Sequence, residues 1–365
     1  MKILFAISKM HRGGAENVAV VLANALAQKG HNVVIASDLP KQEASKFYKT
    51  DERVVFVRCF QGSNPLMKVF RLRSILKNMH IDSAIGIMSN ASFMLWCAAL
   101  NLRTIVVASE HNAFERPQCS PYSMKQYFFR FILNKLFPCV TVLTDADRKY
   151  AENRLKNIVV MPNPLSMETI SEINFQREKK ILAAGRIEDW HYKGFDILLK
   201  AWAKIHKQYP DWQLEIAGEF SKSNISDLLK ITEALQLKDN VVFSGFHEDV
   251  AALFRSAELF VLSSRYEGFG MVLIEAMSQG CACIACDYKG RQREIIKDEN
   301  QGVCIPVEDV DALSCSIKKL IDDRLYRMNL QKNAVKRSCY YRASKIADKW
   351  VDLLENLKKK KMQYE

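Results

Sequence analysis

Two glutamates eight residues apart, Glu267 and Glu275, bound the segment EGFGMVLIE, which carries glycines at 268 and 270. The apolar run LFVLSS (259–264) ahead of it reads as a strand, and a helix is expected to begin near Gly270. Glycines at that junction let backbone N–H groups come close to a ligand. Glu275 then lies roughly 7 Å along the helix at 1.5 Å per residue. That span separates a contact to a sugar diphosphate from a carboxylate that accepts both hydroxyls of a ribose. Flanked by Ile274, Ala276 and Met277, an unpaired Glu275 would be costly, so a partner is expected.

A second group sits in GRIEDWHYKGFDILLKAW (185–202). Arg186 closes a strand and Lys193 precedes a helix starting near Gly194. Arginine is a planar fork and lysine a point charge, so together they could neutralise a diphosphate beside a helix start. The plainer reading is surface charge on a loop. In HRGGAEN (11–17), Gly13 and Gly14 open a helix whose first N–H groups make an anion site or simply a tight turn. The spacing is not GxGxxG, so a dinucleotide fingerprint is absent. His111 lies in SEHN (109–112) and Asn163 in PNP (162–164), both at strand ends.

Two other patterns invite metal readings. Cys281, Cys283 and Cys286 alternate in GCACIACD with neither a fourth Cys nor a nearby His, so buried, reduced thiols are expected rather than zinc. Asp145-Ala-Asp147 follows a strand, where either Asp suits a helix N-cap or first turn. No metal site and no cofactor is expected.

These groups need a frame, and the chain supplies one. Its 365 residues, 48% hydrophobic and 26% charged, suit two globular domains. Strands are expected at 2–8, 32–37, 54–59, 83–88, 104–111, 139–144 and 158–164, with helices between them, including one at 66–79 and a Phe-rich one over about 122–136. After a polar stretch the pattern restarts at 181–186, 214–218, 241–246, 259–264, 282–286 and 302–307, and two helical segments at 309–338 and 343–361 close the chain. Continuous β-branched runs mark strands covered on both faces, and strand–helix alternation gives α/β domains with doubly wound parallel sheets. The expected division is 1–165, 166–340 and a terminal helix 341–365 returning to the first domain.

The net charge of +12 is lopsided. Residues 1–165 hold 22 Lys/Arg against 11 Asp/Glu, the remainder 31 against 30, so the first half should meet an anionic partner. LMKVFRLRSILK (66–77) and KQYFFRFILNKLF (125–137) interleave cations with large apolar residues. That pattern suits helices lying in a headgroup layer, or a core-facing stripe. Peripheral contact with an anionic inner leaflet is expected, and the terminal KKKK (358–361) is either a solvated helix end or a further lipid contact. The N-terminal apolar run is too short for a signal peptide and no apolar run reaches 18 residues, so a cytoplasmic chain is expected.

GGAEN (13–17), SEHN, PNP, GR with the following KG (185–186, 193–194), SGF (244–246) and the E-x7-E element, in this order, resemble the retaining GT-B glycosyltransferases of family 4. The resemblance implies two Rossmann-like domains facing each other across a cleft, the first for the acceptor and the second for the nucleotide-sugar. It implies that Glu275 holds the donor ribose and that Glu267 faces the transferred sugar. The backbone of Phe269, Gly270, Met271 and Val272 would line its hydroxyls and phosphates. Arg186 and Lys193 would bind the leaving diphosphate, and the Phe246 backbone would face the base. Gly14 would lie against the phosphates or acceptor, His111 near the sugar's C6 oxygen, and Asn163 at the hinge.

In that family the leaving phosphate is proposed to take the acceptor proton during front-face attack, with no metal and no protein nucleophile. The implied reaction moves a sugar, by the family's commoner usage from a UDP-sugar, to a lipid-linked or saccharide hydroxyl in bacterial surface-glycan assembly. CDYKGRQREII (286–296) departs from the forms common in the family, which leaves donor and acceptor choice open there. The alternatives are a GT-B epimerase or phosphorylase and a basic nucleic-acid-binding protein. No nucleic-acid-binding motif supports the last, so no nucleic-acid partner is expected.

Overall fold

The computed structural model describes residues 1–10, 13–117, 120–221 and 225–364. The chain forms two compact units, Met1–Ser166 with Tyr341–Glu365, and Met167–Tyr340.

The first unit holds seven strands: β1 (Lys2–Ile7), β2 (Asn32–Ser37), β3 (Val55–Arg58), β4 (Ser83–Ile87), β5 (Ile105–Ser109), β6 (Cys139–Val142) and β7 (Ile158–Val160). Their order is β3-β2-β1-β4-β5-β6-β7, and neighbouring strands run parallel. Alternate residues of β1 feed two cores. Ile3, Phe5 and Ile7 pack against helix Gly14–Gln28 and the terminal helix Ala343–Tyr364, through Ile346, Trp350 and Leu354. Leu4 and Ala6 pack on the opposite face against helices Pro65–Asn78 and Met88–Ala99.

The second unit holds β8 (Glu178–Ala184), β9 (Gln213–Ala217), β10 (Val241–Gly245), β11 (Ala257–Leu262), β12 (Ala282–Cys286) and β13 (Val303–Ile305). The order is β10-β9-β8-β11-β12-β13, again parallel throughout. In each sheet the order reverses beside the unit's first strand, between β1 and β4 and between β8 and β11. Crevices at the carboxyl ends of strands open at such reversals.

Strands form at every segment read as one; two helices differ. The segment over 122–136 is not one α-helix but an α-turn (Met124–Tyr127), a π-turn (Phe128–Ile132) and a 3₁₀ turn (Leu133–Leu136). The π-turn lets consecutive residues Arg130 and Phe131 both bury their side chains, Arg130 on a buried glutamate and Phe131 against Phe114 and Tyr122. The helix over 309–338 is two, Val310–Asp322 and Arg324–Ser338. Asp323 leaves helical geometry between them, and its carboxylate accepts the Tyr326 N–H (2.8 Å) as the cap of the second helix.

Candidate functional site

In the second unit, adjacent strands β8 and β11 deliver the two loops that carry the predicted chemistry. The β8 loop ends at Gly194, which caps helix Phe195–Ala203 with φ 64°. A Cβ there would meet the Ser263 carbonyl oxygen at 2.0 Å, so the close approach of the loops requires glycine. The β11 loop ends at Gly270, at φ 97°, which opens helix Met271–Ser278. Neither helix start has a side-chain cap.

The loops are sewn together by groups that sequence reasoning missed. The Ser263 hydroxyl donates to the Lys193 carbonyl (2.8 Å) and the Arg265 N–H to the Tyr192 carbonyl (2.8 Å). The Arg265 guanidinium donates to both oxygens of Asp196 (2.7 and 2.9 Å), to the His191 carbonyl (2.6 Å) and to Glu308 (2.7 Å). Burial alone would raise the Asp196 carboxyl, but the hydrogen bonds and charge of Arg265 hold it below the ordinary range. The signal was present in the sequence as an Asp one residue inside a helix start and an Arg in the facing loop, but nothing in it paired the two.

This clamp brings Lys193 and Glu267 together. The ammonium lies 2.7 Å from Glu267 Oε1, which also accepts the Ser264 hydroxyl at 2.9 Å. Both side chains keep some exposure, 22% and 13%. Arg186 is not gathered into the pair. Its side chain is 72% exposed and turns to its neighbours Asp189 (2.6 Å) and Glu188 (3.8 Å). Phe269 is buried, and Gly270, Met271 and Val272 form the cap and first turn of the Met271 helix, with Glu275 half-buried one turn further. Phe246 follows β10 and is 56% exposed.

In the first unit, helix Gly14–Gln28 begins without a side-chain cap, and a Cβ on Gly14 would meet nothing within 4 Å. His11 and Arg12 of that motif lie outside the described residues. His111 follows β5, with Nε2 on the Ser109 hydroxyl (3.1 Å). Burial pulls its imidazole down to about 4, against the opposing charge of Glu110, so the ring is neutral at neutral pH. His111 Nδ1 and the buried Asn163 Oδ1 make no hydrogen bond of good geometry, and the Asn163 side chain interacts with the His111 ring, opposing the drop in its pKa.

Beside His111 is a network the sequence did not reveal. Glu110 is buried and accepts from Arg130 (3.1 and 3.2 Å), Ser89 (2.7 Å) and Asn134 (3.1 Å). Arg130 also donates to the Asn112 and Ala113 carbonyls, each at 2.7 Å. Burial would raise the Glu110 carboxyl, and Arg130 with the hydroxyl and amide donors brings it below its ordinary range.

The cysteine and aspartate groups lie in a buried strand and a helix start. Cys281 leads into β12, where Cys283 and Cys286 lie buried, and burial pushes the Cys281 and Cys286 thiols up to about 12. Among the described residues no three potential ligands gather. Thr144, not Asp145 or Asp147, caps helix Asp145–Ala151 through the Asp147 N–H (3.2 Å). Asp145 and Asp147 fall in the helix's first turn, and the Asp147 carboxylate, turned inward, accepts the Thr144 hydroxyl (2.6 Å). Asp147 takes the Phe114 N–H (2.7 Å), and Asp145 pairs with Arg148 (2.7 Å) and Lys149 (3.1 Å).

Two parallel-sheet α/β units of this topology make the GT-B architecture. The structure superposes on Anabaena HepE in complex with UDP and glucose with a TM-score of 0.80 at 19% identity, over 97% of this chain and 99% of that one. Residues 12–169 match the family described as Glycosyltransferase Family 4, and residues 167–337 match Glycosyl transferases group 1. The chain belongs to the family-4 glycosyltransferases. It is 28% identical to the GalNAc-alpha-(1->4)-GalNAc-alpha-(1->3)-diNAcBac-PP-undecaprenol alpha-1,4-N-acetyl-D-galactosaminyltransferase of Campylobacter jejuni, over 98% of this chain and 99% of that protein. It is 26% identical to the amylovoran biosynthesis glycosyltransferase AmsD of Erwinia amylovora, over 97% and 99% of the two chains.

Proposed function

We propose that the chain transfers a sugar, with retention of configuration, from a nucleotide diphosphate to a hydroxyl of a lipid-linked saccharide in bacterial surface-glycan assembly. The observation that carries this reading is the Lys193–Glu267 pair, held between two uncapped helix starts at neighbouring strand ends. When a donor arrives, its diphosphate takes the ammonium and the two helix N-termini, and Glu267 is released to accept hydroxyls of the sugar. Arg186, on an exposed and mobile-length side chain, swings from Asp189 to the same phosphates. Charge then collects on the leaving group where fixed positive groups already face it. Glu275 takes the ribose hydroxyls, Phe246 faces the base, and the backbone from Phe269 to Val272 meets the sugar and phosphates.

In the first unit Gly14 offers backbone N–H groups to phosphate or acceptor. His111 and Asn163, whose side chains interact with each other without a hydrogen bond of good geometry, offer polar groups to the sugar without adding charge. The protein cations do the neutralising, so no metal is required, and the leaving phosphate accepts the acceptor's proton. A UDP donor is favoured by the UDP carried by HepE, and a lipid diphosphate acceptor by the printed substrate of the Campylobacter relative.

The membrane part of the reading rests on exposed apolar side chains in the two basic segments: Leu66, Met67 and Phe70 in one, Met124, Phe128 and Ile132 in the other. No helix among the described residues is long and apolar enough to cross a membrane; the attachment proposed is peripheral, at an anionic cytoplasmic leaflet.

The test is a panel of UDP- and GDP-sugars, first by thermal shift and then by turnover with an undecaprenyl-diphosphate saccharide, with and without EDTA. Acceptor-dependent nucleotide release that survives EDTA, with an α-linked product from an α-linked donor, is expected. Release that needs divalent metal, or an inverted product, overturns the corresponding part of the mechanism.

A further inference from the structure

The segment Met124–Leu136 turns apolar side chains outward, but its other side closes a cavity of 370 Å³ in the first unit. Its walls include Ser89, Asn90, Asn112, Arg116, Lys125 and Arg130. Ser89 and Asn90 belong to the first turn of helix Met88–Ala99, which follows β4, and Asn112 follows β5. The cavity therefore opens at the carboxyl edge of two adjacent parallel strands, where open α/β sheets take ligands.

Its charge is unbalanced. Arg130 is compensated by Glu110 and locked by carbonyls, so it serves as a fixed wall. Among the described residues Arg116 has no acidic partner. Its guanidinium lies over the Tyr122 ring at 5.1 Å, with a long hydrogen bond to Gln126 (3.4 Å). Lys125 is exposed and, among the described residues, pairs with no carboxylate. The Arg116 and Lys125 cations, neutral donors on Asn90 and Asn112, and an uncapped helix start are the complement of an anion with several oxygens. Met88, which opens that helix, is held at φ 67°, a strained value for a residue with a side chain. Outside the same turn stand Met124, Tyr127, Phe128 and Ile132, all exposed. The cavity thus gathers cations at its rim beside hydrocarbon-compatible side chains on the outer side of the same turn, as an amphiphile with its charge at the root of its chain requires.

We propose that this cavity holds the phosphate or diphosphate of an amphiphilic acceptor, with Arg116 and Lys125 taking its charge. The proposal rests on the transferase reading above and assigns that reading's acceptor a place. The phosphates of bilayer lipids share the chemistry, but they lie in a plane and need no concave site lined with neutral donors; a lone prenyl diphosphate does.

The test uses the full chain and farnesyl diphosphate, with farnesol as its uncharged control, in isothermal titrations at fixed salt. The wild type should bind the diphosphate at least tenfold more tightly than farnesol. The double variant Arg116→Gln/Lys125→Gln should lose that advantage while its affinity for UDP and its melting temperature stay unchanged. Equal affinity of the wild type for both probes, or an undiminished advantage in the variant, overturns the assignment. So does a variant that keeps the diphosphate but no longer sediments with phosphatidylglycerol vesicles, because the cations then serve the bilayer. Normal farnesyl diphosphate binding in a protein that transfers no sugar would leave this site standing and sink the transferase mechanism instead.

Discussion

Glu110–Arg130 in the first unit and Lys193–Glu267 in the second each lie near the edge where strands end, and the two pairs are built to opposite purposes. Glu110–Arg130 is all but sealed, with side-chain exposures of 1% and 6%, and each partner is satisfied by further hydroxyl, amide or carbonyl groups. Lys193–Glu267 keeps 22% and 13% exposure; among the described residues the lysine ammonium meets the glutamate alone, and the glutamate the lysine and one serine. A pair with every hydrogen-bonding position filled is scaffold, because any exchange would strand a buried charge. A half-open pair with few partners can trade one ion for a ligand at little cost. The difference separates residues that shape a site from residues that serve it.

The largest expected effect breaks the sealed pair. Arg130→Met leaves Glu110 buried and uncompensated, and should cost about 3–5 kcal/mol of stability in denaturant titrations. Adding Glu110→Gln should recover most of that loss, because the stranded charge is then gone. A single variant as stable as wild type would mean the pair is not buried in solution, and the contrast would vanish.

Lys193→Ala comes next and should divide the two pairs cleanly. Losing one preorganised positive group at the leaving diphosphate should lower kcat/KM by about a hundredfold or more, with the melting temperature nearly unchanged. Glu275→Ala should fall at least tenfold by the same measurement, through a higher KM for the nucleotide-sugar. A lysine variant that unfolds rather than stalls would place Lys193 with the scaffold.

How much of this could be read beforehand follows the same division. The strands were legible because KILFAI, NVVIAS and ACIAC are buried on both faces and carry no competing pattern. The helix starts at Gly194 and Gly270 were legible because only glycine accepts those backbone angles readily. Glu267 and Lys193 stood out as charges at strand ends, yet their direct contact did not, since 74 residues separate them. Glu110 and Arg130 looked like ordinary members of a polar motif and a basic helix. Only the fold, and the π-turn that aims Arg130 inward, turns them into a buried pair. Local pattern reports periodicity and backbone need; partnerships across the sheet are set by topology.

A smaller effect tests the clamp that joins the two loops. Arg265→Lys keeps the charge but loses the planar fork that reaches both Asp196 oxygens. We expect kcat to fall about tenfold with KM for the donor little changed, because Lys193 is displaced rather than removed. The Asp196 carboxyl is held below its ordinary range, so the clamp's stabilisation is present above that range and is lost as pH falls through the lowered value. Wild type should therefore show an acid limb in stability below about pH 4 that Arg265→Met lacks. Identical acid limbs in both proteins would assign the limb to other carboxylates.

The most delicate contrast concerns His111, whose imidazole titrates near 4 because it is buried. The unfolded chain binds a proton at that histidine from about pH 6.5 downward, whereas the folded chain does so only near 4. Between those values the unfolded state holds more protons, so this residue makes stability fall as pH falls. His111→Gln, which carries a neutral donor and acceptor into the same place, should flatten the dependence of melting temperature on pH across that window. It should also leave kcat/KM without the inflection near 6.5 that an exposed catalytic imidazole would give. An inflection in wild type that the glutamine variant abolishes would show that the ring is charged at work, and His111 would then belong with Lys193 among the exchangeable groups rather than with the buried, neutral surroundings of Glu110.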